Sequence, residues 1–452
     1  MNAKFTVRQV LEAVGGEYAG PAEALDSGIF SVVTDSRQVT EGSLFAAIRG
    51  ERTDGHKYVE PSREKGAACC LCEERVESDC PQIIVESTVA ALQQLAAWYR
   101  QSLGVRVVGI TGSVGKTTCK EVVASVLGVK YRVHKTQGNF NNEIGLPLTL
   151  LSMTAETQMA VIEMGMSAFG EMELLSSIAR PDMCVITNIG HSHMEILGSQ
   201  EGIFRAKCEI FEHMAPDAPA FLNGDDKFLK TVKRENLRLF GFDTENDIYV
   251  EGLCDKGLEG SEGVINAFGE EYHYMTGIPG RHVLYPVMAA IGVGREMGLS
   301  REEILEGIKA ADTIGGRVNL IWRNGLCIID DCYNAAPASM EAGLDLLSSA
   351  QGETLAILGD MGELGDGAPE LHARVGAYAA RKGIGLLAAV GELSEHMYLA
   401  CINAGGRAVH FKNKSELLRE LSGLLPEKGA VLIKASHFMN FGEIVDECEK
   451  KS

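Results

Sequence analysis

The chain has 452 residues, enough for about three domains at about 150 residues each. Its 45% hydrophobic and 23% charged residues exclude disordered, collagen-like and coiled-coil classes. Lys plus Arg number 42 against 62 for Asp plus Glu, a net charge of -20, which excludes a protein that grips nucleic acid or anionic lipid through bulk charge. Any phosphate ligand must be held by a local site.

The opening MNAKFTVRQVLEAVGG has no basic stretch leading into a long apolar core. No run approaches the roughly 20 apolar residues that span a bilayer, so a cytoplasmic protein without membrane insertion is expected. The first hundred residues alternate short apolar runs such as SLFAAI with turn-rich polar stretches, the pattern of a small α/β domain. The twelve cysteines are scattered, unlike a secreted disulfide framework. Cys69, Cys70 and Cys72 cluster as CCLC, but no Cys/His pair at finger spacing accompanies them, and the run reads as a buried strand rather than a metal site.

From Val105 to Ile110 a β-branched run ends in the glycine-rich TGSVGKTT and opens into the helical pattern KEVVASVLG. Backbone N–H groups of such a loop, with the helix N-terminus, cradle phosphate oxygens. In Gly112-Ser113-Val114-Gly115-Lys116-Thr117-Thr118, Lys116 neutralises phosphate charge and Thr117 offers a hydroxyl to Mg²⁺. The usual loop has a glycine where this chain has Ile110, so the motif is a shortened form. Strand, loop and helix all agree, which separates it from a chance glycine turn.

QMAVIEMG and DMCVITNIG read as further parallel strands whose carboxyl ends share an edge with this loop. Glu163 and His193 follow those runs, where carboxylate or imidazole ligands of a metal would project. Each alone could equally be a helix-start carboxylate or a surface histidine. Lys207, in SQEGIFRAKCEIFEHM, reads from spacing alone as an ordinary solvated lysine. From about Asp247 to Gly277 the alternating DIYVEGL and GVINAFGEEYHYMTG predict a small antiparallel appendage. After Gly315, LCIIDD, TLAILGD, LLAAVGE and AVLIKAS alternate with helical patterns, which predicts a second βα domain of Rossmann type. The expected architecture is α/β in three domains: residues 1–101, residues 102–313 with the nucleotide-binding parallel sheet, and residues 314–452.

Taken together, TGSVGKTT, TQGNFNNEIGLPLTLL (136–151), EMGMSAFGEM (163–172), TNIGHSHMEILGS (187–199), RAKCEI (205–210), IDDCYNAAPASM (329–340) and LGDMGELG (358–365) resemble the Mur ligase family. The likeness runs from DSRQVTEGSLFAAIRGERTDGHKYV (35–59) to KASHFMNF (434–441). It implies an ATP-dependent, ADP-forming amide ligase of peptidoglycan precursor synthesis. Its N-terminal domain would bind a UDP-linked substrate, its central domain ATP, and its C-terminal domain would close over ATP and admit the amine. The pairing of NNEIGLPLTLL with LGDMGELG favours the member that joins D-alanyl-D-alanine to UDP-N-acetylmuramoyl-tripeptide. A tripeptide-forming or folylpolyglutamate synthase-like ligase, a catalytically silent relative and a nucleotide-dependent switch are the alternatives. A switch would not need His193 and Lys207 beside the phosphates.

By the resemblance, Thr117 and Glu163 hold a first Mg²⁺, and His193 with a CO₂-derived carbamate on Lys207 helps hold a second. Lys116, Glu163, His193 and Lys207 form the catalytic set. Arg317 and Asp331 approach ATP from the hinge and third domain, beside the loop 112–118. Asp35, Ser36 and Arg37 resemble a uridine-binding element, though a solvated turn would read the same. Asn139, Asn141 and Asn142 resemble the block facing the UDP-sugar, and Asn334, Asp360 and Glu363 lie where a zwitterionic dipeptide could be read. The chain departs from the family pattern at Val114 and Pro286, where asparagines are common, and at His437, where an arginine is usual. Small-molecule substrates, no nucleic acid and a monomer complete the expectation.

Overall fold

A computed structural model describes residues 3–51, 53–313 and 316–451. The expected junction at 313/314 falls at residues outside that described set. Three large sheets follow one another along the chain, with a small antiparallel pair of Phe5–Thr6 and Gly28–Ile29 at the start, giving the three-domain α/β architecture. The first has five strands in the spatial order Glu17–Ala19, Gln82–Ile84, Ala67–Cys72, Ser43–Ala46, Ser31–Val33, parallel except at the Glu17–Ala19 edge. The run AACCLC is the strand Ala67–Cys72, and all four residues from Cys69 to Cys72 are buried. A strand covered on both faces must be apolar throughout, and cysteine behaves there as a small hydrophobe.

Helix Thr88–Leu103 carries the chain from this sheet to the next. Ser87 caps its start by accepting from Ala90 N–H, and Gly104 in the left-handed region ends it. Leu92, Leu95, Ala96 and Tyr99 are buried on one face, with spacings of three and four that give one helical stripe. Each buried leucine contributes about 1.5–3 kcal/mol through removed apolar surface. The stripe joins an apolar core continuous with central-domain residues such as Leu146 and Met153, and Tyr99 Oη donates to Met153 O across the junction.

The central sheet has nine strands. Its parallel heart runs Leu237–Gly241, Ala220–Asn223, Met183–Ile186, Arg106–Thr111, Met159–Glu163, Val133–Lys135. The expected appendage is present as Ile248–Asp255, Ser261–Ala267 and Glu270–Thr276, antiparallel to one another. It extends the same sheet through a short parallel pairing of Phe240 and Gly241 with Ile248 and Tyr249. Arg106–Thr111 lies between Met183–Ile186 and Met159–Glu163, with Thr111 opposite Ile186 and Ile110 opposite Glu163. That register puts the carboxyl ends of three neighbouring strands at one edge.

The third sheet orders Asn319–Arg323, Leu326–Asp330, Gly429–Lys434, Glu353–Gly359, Leu386–Val390, Ala408–Phe411, parallel after the first antiparallel pair. Separate apolar clusters cover its two faces, as a doubly wound sheet requires.

Candidate active site

The glycine-rich loop is held mainly through its backbone. Gly112 has φ +145°, and a Cβ there would lie 1.9 Å from Thr187 Oγ1, so only glycine allows this approach. Val114 N–H donates to Asn188 Oδ1 at 3.0 Å, and Asn188 Nδ2 donates back to Val114 O at 2.9 Å. Thr187 Oγ1 donates to the same carbonyl at 2.6 Å, and Gly190 N–H donates to Ser113 Oγ at 2.8 Å. The end of one strand thus clamps the loop at the end of its neighbour. Val114 therefore serves through its peptide groups, and no side-chain amide is needed to hold the loop.

Gly115, at φ +82°, opens helix Lys116–Gly128. Lys116 Nζ lies 2.7 Å from Gly112 O, and burial lowers its pKa from the ordinary lysine value. Thr117 Oγ1 donates to Glu163 Oε2 at 2.7 Å, and Asn141 Nδ2 donates to Glu163 Oε1 at 2.9 Å. Glu163 is buried. Its N–H donates to Thr136 Oγ1 at 2.9 Å, which fixes the strand end that carries it. Thr117 and Glu163, the two residues assigned by resemblance to a first Mg²⁺, thus lie in hydrogen-bond contact, with Asn141 as a third member.

Lys207 lies on helix Gln200–Cys208 with Ile203 and Ala206 on the buried face. Its side chain is 1% exposed, and no hydrogen bond or ion pair of Lys207 occurs among the described residues. Burial, with the Lys116 charge adding to it, pushes its amine well below the ordinary lysine range. The reading as a solvated lysine is overturned. Ile203 and Lys207 are separated by one helical turn, the signal that could have placed the lysine inward.

His193 sits in the left-handed region at φ 64°, and its Nδ1 lies 2.6 Å from Glu363 Oε2. This contact joins the central and C-terminal domains. Glu363 is itself left-handed, at φ 60°, and its carboxyl is held below the ordinary range chiefly by His193. The loop carrying it is anchored by His372, whose Nε2 accepts from Met361 N–H at 2.9 Å while its Nδ1 lies 2.6 Å from Ala368 O. Asp360 Oδ1 accepts from Ser394 N–H and Oγ at 2.7 and 2.6 Å, so that oxygen is occupied within the domain.

Arg317 lies over the Tyr333 ring at 4.1 Å, and the His437 ring is 5.4 Å from the same tyrosine. Arg317 lines a cleft with Thr117, Thr118, Ile278, His282 and Val283. Asp331 pairs with buried Lys434 at 2.5 Å, and Lys434 Nζ also donates to Asn334 O at 3.0 Å. A buried charge pair lacking one partner costs about 3–5 kcal/mol, so Lys434 fixes the loop 331–334. Pro286 lies in the first turn of helix Leu284–Glu296, where proline is tolerated.

The substrate-side candidates are less gathered. Asp35 binds Arg37 N–H and its guanidinium, in an exposed turn, and Lys65 Nζ donates to Ser36 O. Asn142 Oδ1 accepts from Gly145 N–H at 2.9 Å, a helix-start bond. Asn139 and Asn334 are exposed. Asn188 and Lys434 were not singled out from the sequence, although both lie in the quoted blocks.

The family models for the Mur ligase family catalytic domain, the Mur ligase middle domain and the Mur ligase glutamate ligase domain match residues 29–107, 110–294 and 316–437. The chain belongs to the Mur ligase family. It is 40% identical over 453 residues to the UDP-N-acetylmuramoyl-tripeptide–D-alanyl-D-alanine ligase of Bacillus subtilis, covering 98% of each chain. The Escherichia coli ligase of the same name is 32% identical, with 97% of each covered. Among solved structures, a MurF of Acinetobacter baumannii matches with a TM-score of 0.91 at 29% identity over 99% of each chain. MurF of Thermotoga maritima, solved in complex with ADP, matches with 0.83 at 29% identity, over 93% of this chain and 97% of that one.

The clamp on Val114 sets a first expectation. Asn188→Ala removes two hydrogen bonds, each contributing about 1 kcal/mol, and should raise the KM for ATP about tenfold or more while the protein stays folded. Initial rates over an ATP titration, with circular dichroism of the variant, check this. An unchanged KM would show that Asn188 does not seat the loop.

Proposed function

We propose that this chain joins D-alanyl-D-alanine to UDP-N-acetylmuramoyl-tripeptide, consuming ATP and releasing ADP and phosphate. The whole-length likeness to ligases of that name supports this reading. The observation that carries the chemistry is Lys116, Thr117, Glu163 and Lys207 converging beside a clamped phosphate loop. We further assign residues 1–101, 102–313 and 314–452 to substrate binding, ATP binding, and dipeptide binding with closure. The site needs residues of one chain only, which suits a monomer. Among the described residues no helix is long and apolar enough to cross a membrane, and water-soluble charged substrates suit a cytoplasmic enzyme.

A carboxylate has a poor leaving group and repels an amine. An oxygen of the tripeptide carboxylate attacks the γ-phosphorus of ATP, the bond to the bridging oxygen breaks, and ADP leaves. The dipeptide amine then attacks the acyl carbon and loses a proton, and phosphate departs with the oxygen that came from the carboxylate. Lys116 and the loop N–H groups offset charge on the transferring phosphoryl group, and Arg317 stands at the same cleft. Glu363 and exposed Asn334 offer a carboxylate and an amide to the dipeptide's ammonium and carboxylate, with Asp360 holding that loop through Ser394. Asp35, Ser36 and Arg37, with Asn139, Asn141 and Asn142, face the UDP-sugar.

The residues present fit Mg²⁺. Thr117 and Glu163 supply hard oxygen donors, and a buried Lys207 without a partner suits conversion by CO₂ into a carbamate whose oxygens join His193 as ligands. Bound there, Mg²⁺ supplies charge neutralisation for phosphoryl transfer. Burial lowers the Lys207 pKa, which raises the fraction of neutral amine able to attack the carbon of CO₂, the amine losing a proton as the carbamate forms.

Phosphate release by the purified protein should depend on Mg·ATP, UDP-N-acetylmuramoyl-tripeptide and D-alanyl-D-alanine together, with the pentapeptide product seen by mass. Lysine and diaminopimelate tripeptides run in parallel identify the third residue. Release with neither tripeptide would remove the ligase reading. Lys207→Ala should lose at least about 99% of the activity, as loss of a group that stabilises charge in the reaction commonly does, and short carboxylic acids should restore part of it. A fully active variant would contradict the carbamate.

A further inference from the structure

The CCLC run has no part in the ligase site, yet it brings two thiols into contact. Alternation along Ala67–Cys72 sends Cys69 and Leu71 into the large core, whereas Cys70 and Cys72 face a smaller cluster with Phe45, Val59 and Cys80. Cys70 Sγ lies 3.4 Å from Cys80 Sγ, and the two residues are 0% and 2% exposed. Their backbones are fixed side by side. Cys70 N–H donates to Pro81 O at 2.8 Å, and Cys80 N–H donates to Ser78 Oγ at 3.0 Å. Ser78 in turn donates to Glu60, which pairs with Arg63. Among the described residues no group of three or more His, Cys, Asp or Glu is arranged to hold a metal.

A disulfide needs the sulfurs to close to about 2.05 Å, an approach of little more than an ångström from contact. We propose that Cys70 and Cys80 are a reversible dithiol–disulfide site of the N-terminal domain, oxidised by a hydroperoxide. The Cys80 sulfur attacks a peroxide oxygen, the O–O bond breaks, and the leaving oxygen takes the thiol proton and departs as water or alcohol. The Cys80 sulfenic acid is then attacked by the Cys70 sulfur, the S–O bond breaks, and water leaves with the Cys70 proton. Two thiols are oxidised to one disulfide and one peroxide is reduced. Cys80 is the first nucleophile because the Cys70 thiol in contact with it, and more weakly the Arg63 charge, favour its thiolate against the opposing effects of burial and Glu60.

The bond would close a ring around residues 71–79. That segment carries Glu73, whose carboxylate accepts from Thr88 N–H at 3.0 Å and whose N–H donates to His56 Nε2 at 2.8 Å. Oxidation therefore braces the link between the turn at Asp54 and helix Thr88–Leu103, the element that leads into the strand before the phosphate loop.

The test is made on the reduced full-length protein treated with hydrogen peroxide, alkylated, digested and mapped by mass. The Cys70 and Cys80 peptides should become linked, together lose two hydrogens and escape alkylation, and dithiothreitol should restore both thiols. Cys80→Ser, with Cys80→Ala as a second variant, should leave Cys70 open to alkylation. The proposal is overturned if both thiols remain alkylatable once exposed Cys254 has been oxidised, or if the bond formed joins Cys72 or two chains. The wild-type map alone decides between these outcomes, so a variant that folds poorly does not affect the result.

Discussion

The site depends on one constraint, the parallel register that ends Arg106–Thr111, Met159–Glu163 and Met183–Ile186 at a common edge. A parallel sheet presents its loops at its carboxyl edge, and here each loop completes its neighbour. The middle strand delivers the phosphate loop. One flanking strand supplies Glu163 to Thr117, and the other supplies Thr187 and Asn188 to Val114. A one-residue slip would turn every inward side chain to the opposite face, so the apolar residues that fix the register also fix the chemistry.

The C-terminal domain meets this edge through its loops. His193 reaches Glu363, and Gly365 lies against Glu195. Within the domain the polar groups are tightly tied: Lys434 to Asp331 and Asn334, Asp360 to Ser394, and His372 to Met361. The loops are thus fixed within the domain that carries them. That arrangement suits a body that carries a preorganised set of side chains up to a phosphate loop built elsewhere.

Much of this was legible in the sequence because it is local. A strand, a glycine-rich loop and a helix are read from adjacent residues, and Glu163 follows from where its apolar run stops. The buried CCLC strand and the antiparallel appendage were legible from composition and alternation in the same way. Asn188 and Lys434 were not, since their partners lie 74 and 100 or more residues away, and no spacing rule connects such positions. Lys207 was misread from its own segment because a buried cation contradicts average behaviour. Only the family resemblance and the packing of Ile203 beside it turn it inward. The pairing of Asp35 with Arg37 also shows how a short polar motif can satisfy itself, leaving its role to be set by a ligand.

In the proposed reaction the tripeptide carboxylate is activated by phosphoryl transfer before the amine attacks it. The most direct test is to label that carboxylate with oxygen-18 and follow the label through one turnover. The account predicts one labelled oxygen in the released inorganic phosphate and the other retained in the new amide carbonyl. Phosphate free of label, with amide still formed, would contradict it.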